Sequence, residues 1–164
     1  MKPPAKSLRG PRWPALTLLY AAALAFALPA GAAQALIIVN QPWVRPAAAG
    51  RSTEAFMNLT STEGAALVAA RTDSAAATTL HRPGGDPRAA AELALPAGTV
   101  VELAPGKYRL SLRRLSRNVE LGDIVPMTLT IRGADGALQD IAVGAVARLR
   151  SPVEDERRAH RHQH

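Results

Sequence analysis

The 164-residue sequence contains no cysteine. It can form no disulfide, bind no metal through thiolate and use no thiol nucleophile. Aromatic residues are scarce, with two each of Trp, Tyr and Phe, and none interleaves with the basic cluster Arg113, Arg114 and Arg117 as a nucleic-acid surface would require. Catalytic signatures are missing as well. There is no Gly-rich phosphate loop after a strand and no His-Glu-x-x-His, and Ser111, on a predicted strand, has no identifiable base. The chain therefore reads as a non-enzyme. No apolar run reaches the roughly 20 residues that span a bilayer.

A shorter apolar run does occur at the start. Lys2, Lys6, Arg9 and Arg12 form a basic region free of acids, followed by apolar residues from Ala15 to Leu28, then Pro29 and the small residues Ala30, Gly31 and Ala32. This is the order of a secretory signal peptide. Cleavage after Ala32 or after Ala35 fits equally well, and either predicts a periplasmic protein with no membrane segment after processing. The division expected is a signal peptide over 1–32, one domain over 33–150 and a disordered tail over 151–164.

Loss of the basic leader lowers the net charge from +7 to about +3, since 16 Lys and Arg then face 13 Asp and Glu. So small and dispersed a charge does not predict nucleic-acid binding. The residues between Leu36 and Arg150 are enough for one hydrophobic core and too few for two.

Within that domain the pattern is β. Residues 55–60 (AFMNLT), 99–103 (TVVEL), 108–112 (YRLSL) and 127–131 (MTLTI) alternate or are rich in β-formers. Pro105-Gly106, Gly122-Asp123 and Gly133–Gly136 break them. Short strands at close spacing, with no capped amphipathic helix, predict a small antiparallel β-sandwich or barrel. Alanine-rich stretches at 65–70 and 89–93 would tolerate helix by propensity, but they lack a cap and an apolar stripe.

Several motifs occur in an order that resembles the PCu(A)C family of periplasmic copper chaperones. They are Trp43-Val44-Arg45, the strand Ala55 to Thr60, Leu80-His81, Leu95-Pro-Ala-Gly98 with Val101-Glu102-Leu103, Pro105-Gly-Lys-Tyr-Arg-Leu-Ser-Leu112, and Gly122-Asp-Ile-Val-Pro-Met-Thr-Leu129. The resemblance implies a cupredoxin-like β-sandwich that holds Cu(I) through a His-x-Met pair, a further Met on the next hairpin strand and a second His-x-Met pair beside the tyrosine. Thioether sulfur and imidazole suit a soft, redox-accessible ion. A spacing of two places both members of a pair on one face of a strand.

Only the first ligand position is retained, as His81. Its partner position is Pro83, the following segment 84–89 has no Met, and the second pair is replaced by Arg109 and Ser111. Arginine is a permanent cation and repels a bound metal as well as removing a donor. Met57 and Met127 fall in core-forming strands and are expected to pack. His81 ends a strand and is expected to face solvent, with Asp86 as its nearest possible carboxylate partner.

The other three histidines, His160, His162 and His164, close the chain behind an acidic and basic stretch that includes Glu154, Asp155 and Glu156. In extended backbone, residues two apart project to one side, so the three imidazoles can converge on one ion. Neutral imidazole suits Cu(II), Ni(II) or Zn(II) better than Cu(I). The expected metal set is therefore His81, His160, His162 and His164, in a copper-binding, chaperone-like protein. By family resemblance, the recipient is a copper-dependent oxidase or one of its assembly factors. The alternative is a non-metallated interaction module that meets an acidic partner through Arg88, Arg109, Arg113 and Arg114.

Overall fold

The computed structural model describes residues 35–85 and 89–152. The signal segment, Asp86, Arg88 and the terminal histidines His160, His162 and His164 lie outside them. The described residues form an all-β domain of nine strands: β1 (Ile37–Val44), β2 (Thr53–Ser61), β3 (Ala65–Arg71), β4 (Ala75–His81), β5 (Leu93–Leu95), β6 (Val100–Leu103), β7 (Arg109–Leu115), β8 (Ile124–Gly133) and β9 (Leu138–Ala147). A 3-10 turn, Pro83–Gly85, follows β4.

The strands hydrogen-bond in the order β4-β7-β2-β1-β9-β8-β3-β5, and β6 joins β2 off that path. Every pairing between named strands is antiparallel except β1 with β9, where Trp43 and Val44 lie beside Val146 and Ala147. β2 is the pivot. Its first residues, Thr53 to Ala55, pair with β7, and Met57 to Thr60 pair with β6 on the same edge. The sheet thereby curls around one core.

That core takes alternate residues of each strand. Ala55, Met57 and Leu59 of β2 meet Leu110 and Leu112 of β7, Leu67 of β3, and Met127, Leu129 and Ile131 of β8. Each fully buried Leu or Ile contributes roughly 1.5–3 kcal/mol of transfer free energy. Both methionines are core residues, 1% and 3% exposed. The alanine-rich 65–70 stretch is strand β3 because tertiary pairing overrides propensity: it is hydrogen-bonded to β8 on one edge and β5 on the other, and Leu67 is buried.

Two irregularities shape the outer face. In β1, Asn40 is opposite Asn58, yet Trp43 is opposite Phe56, so one extra residue is accommodated at Gln41-Pro42, with Gln41 at φ +50°. This bulge re-phases the strand and brings Trp43 to the face that carries Phe56. In β7, Leu110 and Leu112 point inward, and strict alternation would send Arg114 inward too. Arg114 instead adopts φ +52°, Leu115 takes the inward place, and Arg113 and Arg114 are both exposed.

Candidate metal centre

The outer face of β4, β7 and β2 brings together residues far apart in sequence. His81 is directly opposite Arg109, and Thr79 is opposite Ser111, which in turn is opposite Glu54. Side chains so paired have Cβ atoms about 4.5–5.5 Å apart. The four positions 81, 83, 109 and 111 thus do not form a dispersed set: His81, Arg109 and Ser111 share one small patch of sheet, and Pro83 begins the turn just beyond His81.

What occupies that patch is an ion pair. Arg109 Nε lies 2.8 Å from Glu54 Oε1, and the two side chains are only 23% and 35% exposed. Glu54 was not anticipated from the sequence, because only the register of β2 against β7 places it diagonally from Arg109. His81 ends β4, but it does not simply face solvent. Its side chain is half-buried, and Nδ1 is buried with no hydrogen-bond partner.

Next to the pair stands an aromatic and cationic stack. Trp43 and Phe56 are both buried, with ring centroids 4.5 Å apart and planes tilted by 33°. The Arg45 guanidinium carbon lies 5.6 Å from the Phe56 centroid, within cation–π range. The Trp-x-Arg element and the Ala-Phe strand therefore have a packing function: they cap the sheet outside the core and hold β1 against β2 beside Glu54.

As a metal centre the patch is poor. A tight Cu(I) site needs several soft donors, and a single imidazole beside a fixed guanidinium supplies one donor and a repulsive charge. Among the described residues, no group of three His, Asp or Glu side chains stands close enough to hold an ion. Met57 and Met127 are committed to the core and do not supply sulfur to this face. His81 thus belongs to no three-donor group among the described residues, and Asp86, His160, His162 and His164 lie outside them.

Solved PCuAC domains share this all-β fold. The apo PCuAC domain from PmoF1 superposes with a TM-score of 0.59 at 21% identity, covering 68% of this chain and 92% of that one. The copper-bound PCuAC domain from PmoF2 gives 0.55 at 19%, covering 71% and 97%. The Cu(I) form of DR1885 from Deinococcus radiodurans gives 0.52 at 26% identity, covering 71% and 83%. A family model, LpqE-like, matches residues 37–143, nearly the whole described sheet, and the chain belongs to this LpqE-like family. That family is described as one of lipoproteins. No curated protein matches the sequence.

Proposed function

We propose that the protein is an exported, periplasmic copper carrier of the PCuAC type that binds its cargo through the C-terminal histidines His160, His162 and His164, assisted by His81. The observation that supports this reading is the Arg109–Glu54 ion pair, which fills the position where the resemblance expects the second His-x-Met pair and leaves His81 as the one motif ligand on the sheet. Solved relatives with the same fold are described as copper-bound, which supports copper as the cargo. Imidazole-rich ligation favours Cu(II), with Ni(II) and Zn(II) as competitors.

The exit of the tail is compatible with help from His81. Ser151 and Pro152 line a cavity together with Lys107, in the turn just before Arg109. His160 is eight positions beyond Pro152, and a fully extended segment of eight steps spans up to ~28 Å. Delivery to a copper-dependent oxidase or its assembly factor, without catalysis by the chain itself, completes the reading.

A second reading, a non-metallated interaction module, is favoured by the same ion pair and by the lack of any three-donor cluster among the described residues. Titration of the mature protein with Cu(I) and Cu(II), with and without residues 159–164, separates the two. Stoichiometric submicromolar binding that vanishes with the tail supports the carrier, because an affinity of at least about −8 kcal/mol needs several converging ligands. Binding no tighter than one imidazole gives leaves the interaction module.

A further inference from the structure

Charge on the described domain is strongly segregated. Strands β4 and β7, the 45–52 loop, the first half of β2 and Arg82 just after β4 carry six arginines, Arg45, Arg51, Arg82, Arg109, Arg113 and Arg114, against one carboxylate, Glu54. The remaining described residues carry six basic and eight acidic side chains. A domain with a net charge of only +3 among its described residues therefore has a face at +5 and a remainder at −2. Among the described residues, Asp73 in the β3–β4 turn stands at the margin near the end of β7, where its backbone carbonyl accepts from Ser116 Oγ.

Apart from Arg109, paired with Glu54, and Arg45, stacked on Phe56, these arginines make no ion pair or ring contact among the described residues. Elsewhere four of the six cations are in ion pairs within the described residues: Arg71 with Asp140, Lys107 with Glu102, Arg117 with Asp123 and Arg132 with Glu92. On this face only Arg109 has a counter-ion, and the other five have no carboxylate within ion-pair distance among the described residues. Like charges gathered on one sheet face cost folding energy. The backbone adds to that cost. Arg114 sits in the left-handed region at φ +52°, which an L-residue adopts reluctantly, and its effect is to turn a second arginine outward beside Arg113.

We propose that this face docks an acidic segment of a partner protein. Ser52 and Ser111 line a depression of about 390 Å³ with Arg45 and Glu54, beside Arg109, where a partner carboxylate meets guanidinium and hydroxyl donors together; the Thr53 hydroxyl in its wall is already donated to the Arg45 carbonyl. Glu54 is the built-in competitor: it holds Arg109 until a partner carboxylate shares or displaces it. An anionic membrane fits less well, because none of the large exposed apolar residues (Leu36, Ile38, Val100, Leu121, Ile124, Leu138 and Leu149) lies on β4, β7 or the 45–52 loop to insert into lipid. Nucleic acid fits less well too, since Trp43 and Phe56 are buried and offer no stacking platform.

The test uses the metal-free mature protein, so that its outcome does not depend on copper. A labelled oligoglutamate peptide, oligolysine as control, and phosphatidylglycerol vesicles are titrated at low salt and again at ~0.15 M, where the Debye length is about 8 Å. Expected is binding of oligoglutamate alone, weakened by salt and weakened a further two- to five-fold by each of Arg113→Gln and Arg114→Gln, as exposed charge contacts do. Glu54→Gln should strengthen it, an effect that a merely structural role for Glu54 does not produce. Arg114→Gly, which relaxes the backbone, should still weaken it, so lost binding is not lost folding. Binding to vesicles but not to peptide, no binding at low salt, or binding indifferent to Arg113 and Arg114 would each overturn the proposal.

Discussion

The Arg109–Glu54 pair is the feature on which the metal argument rests, and its strength is measurable. At 2.8 Å between Nε and Oε1, the Coulomb attraction at an effective dielectric constant of 20 is about 6 kcal/mol, most of which is offset by desolvation. Exposed pairs give ~0.2–1 kcal/mol net, and breaking a fully buried pair costs ~3–5 kcal/mol. With side chains 23% and 35% exposed, the pair falls between these limits, and a coupling energy of about 1–2 kcal/mol is expected. The perturbation is a double-mutant cycle of Arg109→Gln, Glu54→Gln and the double variant, followed by urea unfolding of all four proteins. Either single change should lower the midpoint, the double should cost less than the sum, and the coupling should shrink at high salt. A coupling below ~0.3 kcal/mol, within the scatter of independent sites, would mean that Glu54 does not hold Arg109. The guanidinium would then be free to swing off the patch, and only the shortage of donors would weigh against metal on the sheet.

Two further predictions follow from the same register and from the carboxylates elsewhere on the sheet. Pro83→Met, Arg109→His and Ser111→Met together place two imidazoles and two thioethers at the motif positions, and Cu(I) affinity in a competition titration should rise at least a hundred-fold over the single variant Arg109→Gln; an unchanged affinity would show that the β4–β7 register does not converge as described. Asp140 is held below the ordinary carboxylate range by hydrogen bonds from Arg71 and Thr130, and Asp123 by the Glu120 backbone N–H and Arg117. A carboxylate lowered by folding stabilises above its unfolded pKa of about 3.9 and loses that contribution as the pH falls through its lower folded value. Asp123→Asn and Asp140→Asn should therefore flatten the acid limb of stability below about pH 4 in pH-dependent urea unfolding, with the wild-type slope retained if these pairs contribute nothing.

The sequence was most legible where turns and alternation coincide. Pro105-Gly106 and Gly122-Asp123 bound β7 and β8 nearly where the punctuation puts them, because glycine at positive φ is what those turns require: Gly106 and Gly122 stand at +80° and +87°. β3 was ambiguous, since alanine favours helix locally and only pairing with β5 and β8 decides the matter. β9 was not read at all from its sequence. Its glycine and alternating small residues give a weak signal, and its order comes from a long antiparallel ladder with β8 and a short parallel one with β1. The motif positions 81, 109 and 111 were legible as positions, but the fate of His81 was not: its half-burial and unpartnered Nδ1 depend on what packs around the end of β4.

Composition and order alone determined that the chain has no thiol chemistry and that the soft donors of a sulfur-rich copper site are missing from the motif positions. These are properties of which atoms are present, and no folding changes them. The tertiary structure decided where charge sits. Glu54 and Arg109 are 55 residues apart, and only the β2–β7 register joins them. Arg113 and Arg114 share a surface only because one residue takes a left-handed backbone conformation. Coulomb interactions act over a few ångströms of space and not along the sequence, so the ion pair beside His81 and the arginine-rich surface both waited on the fold.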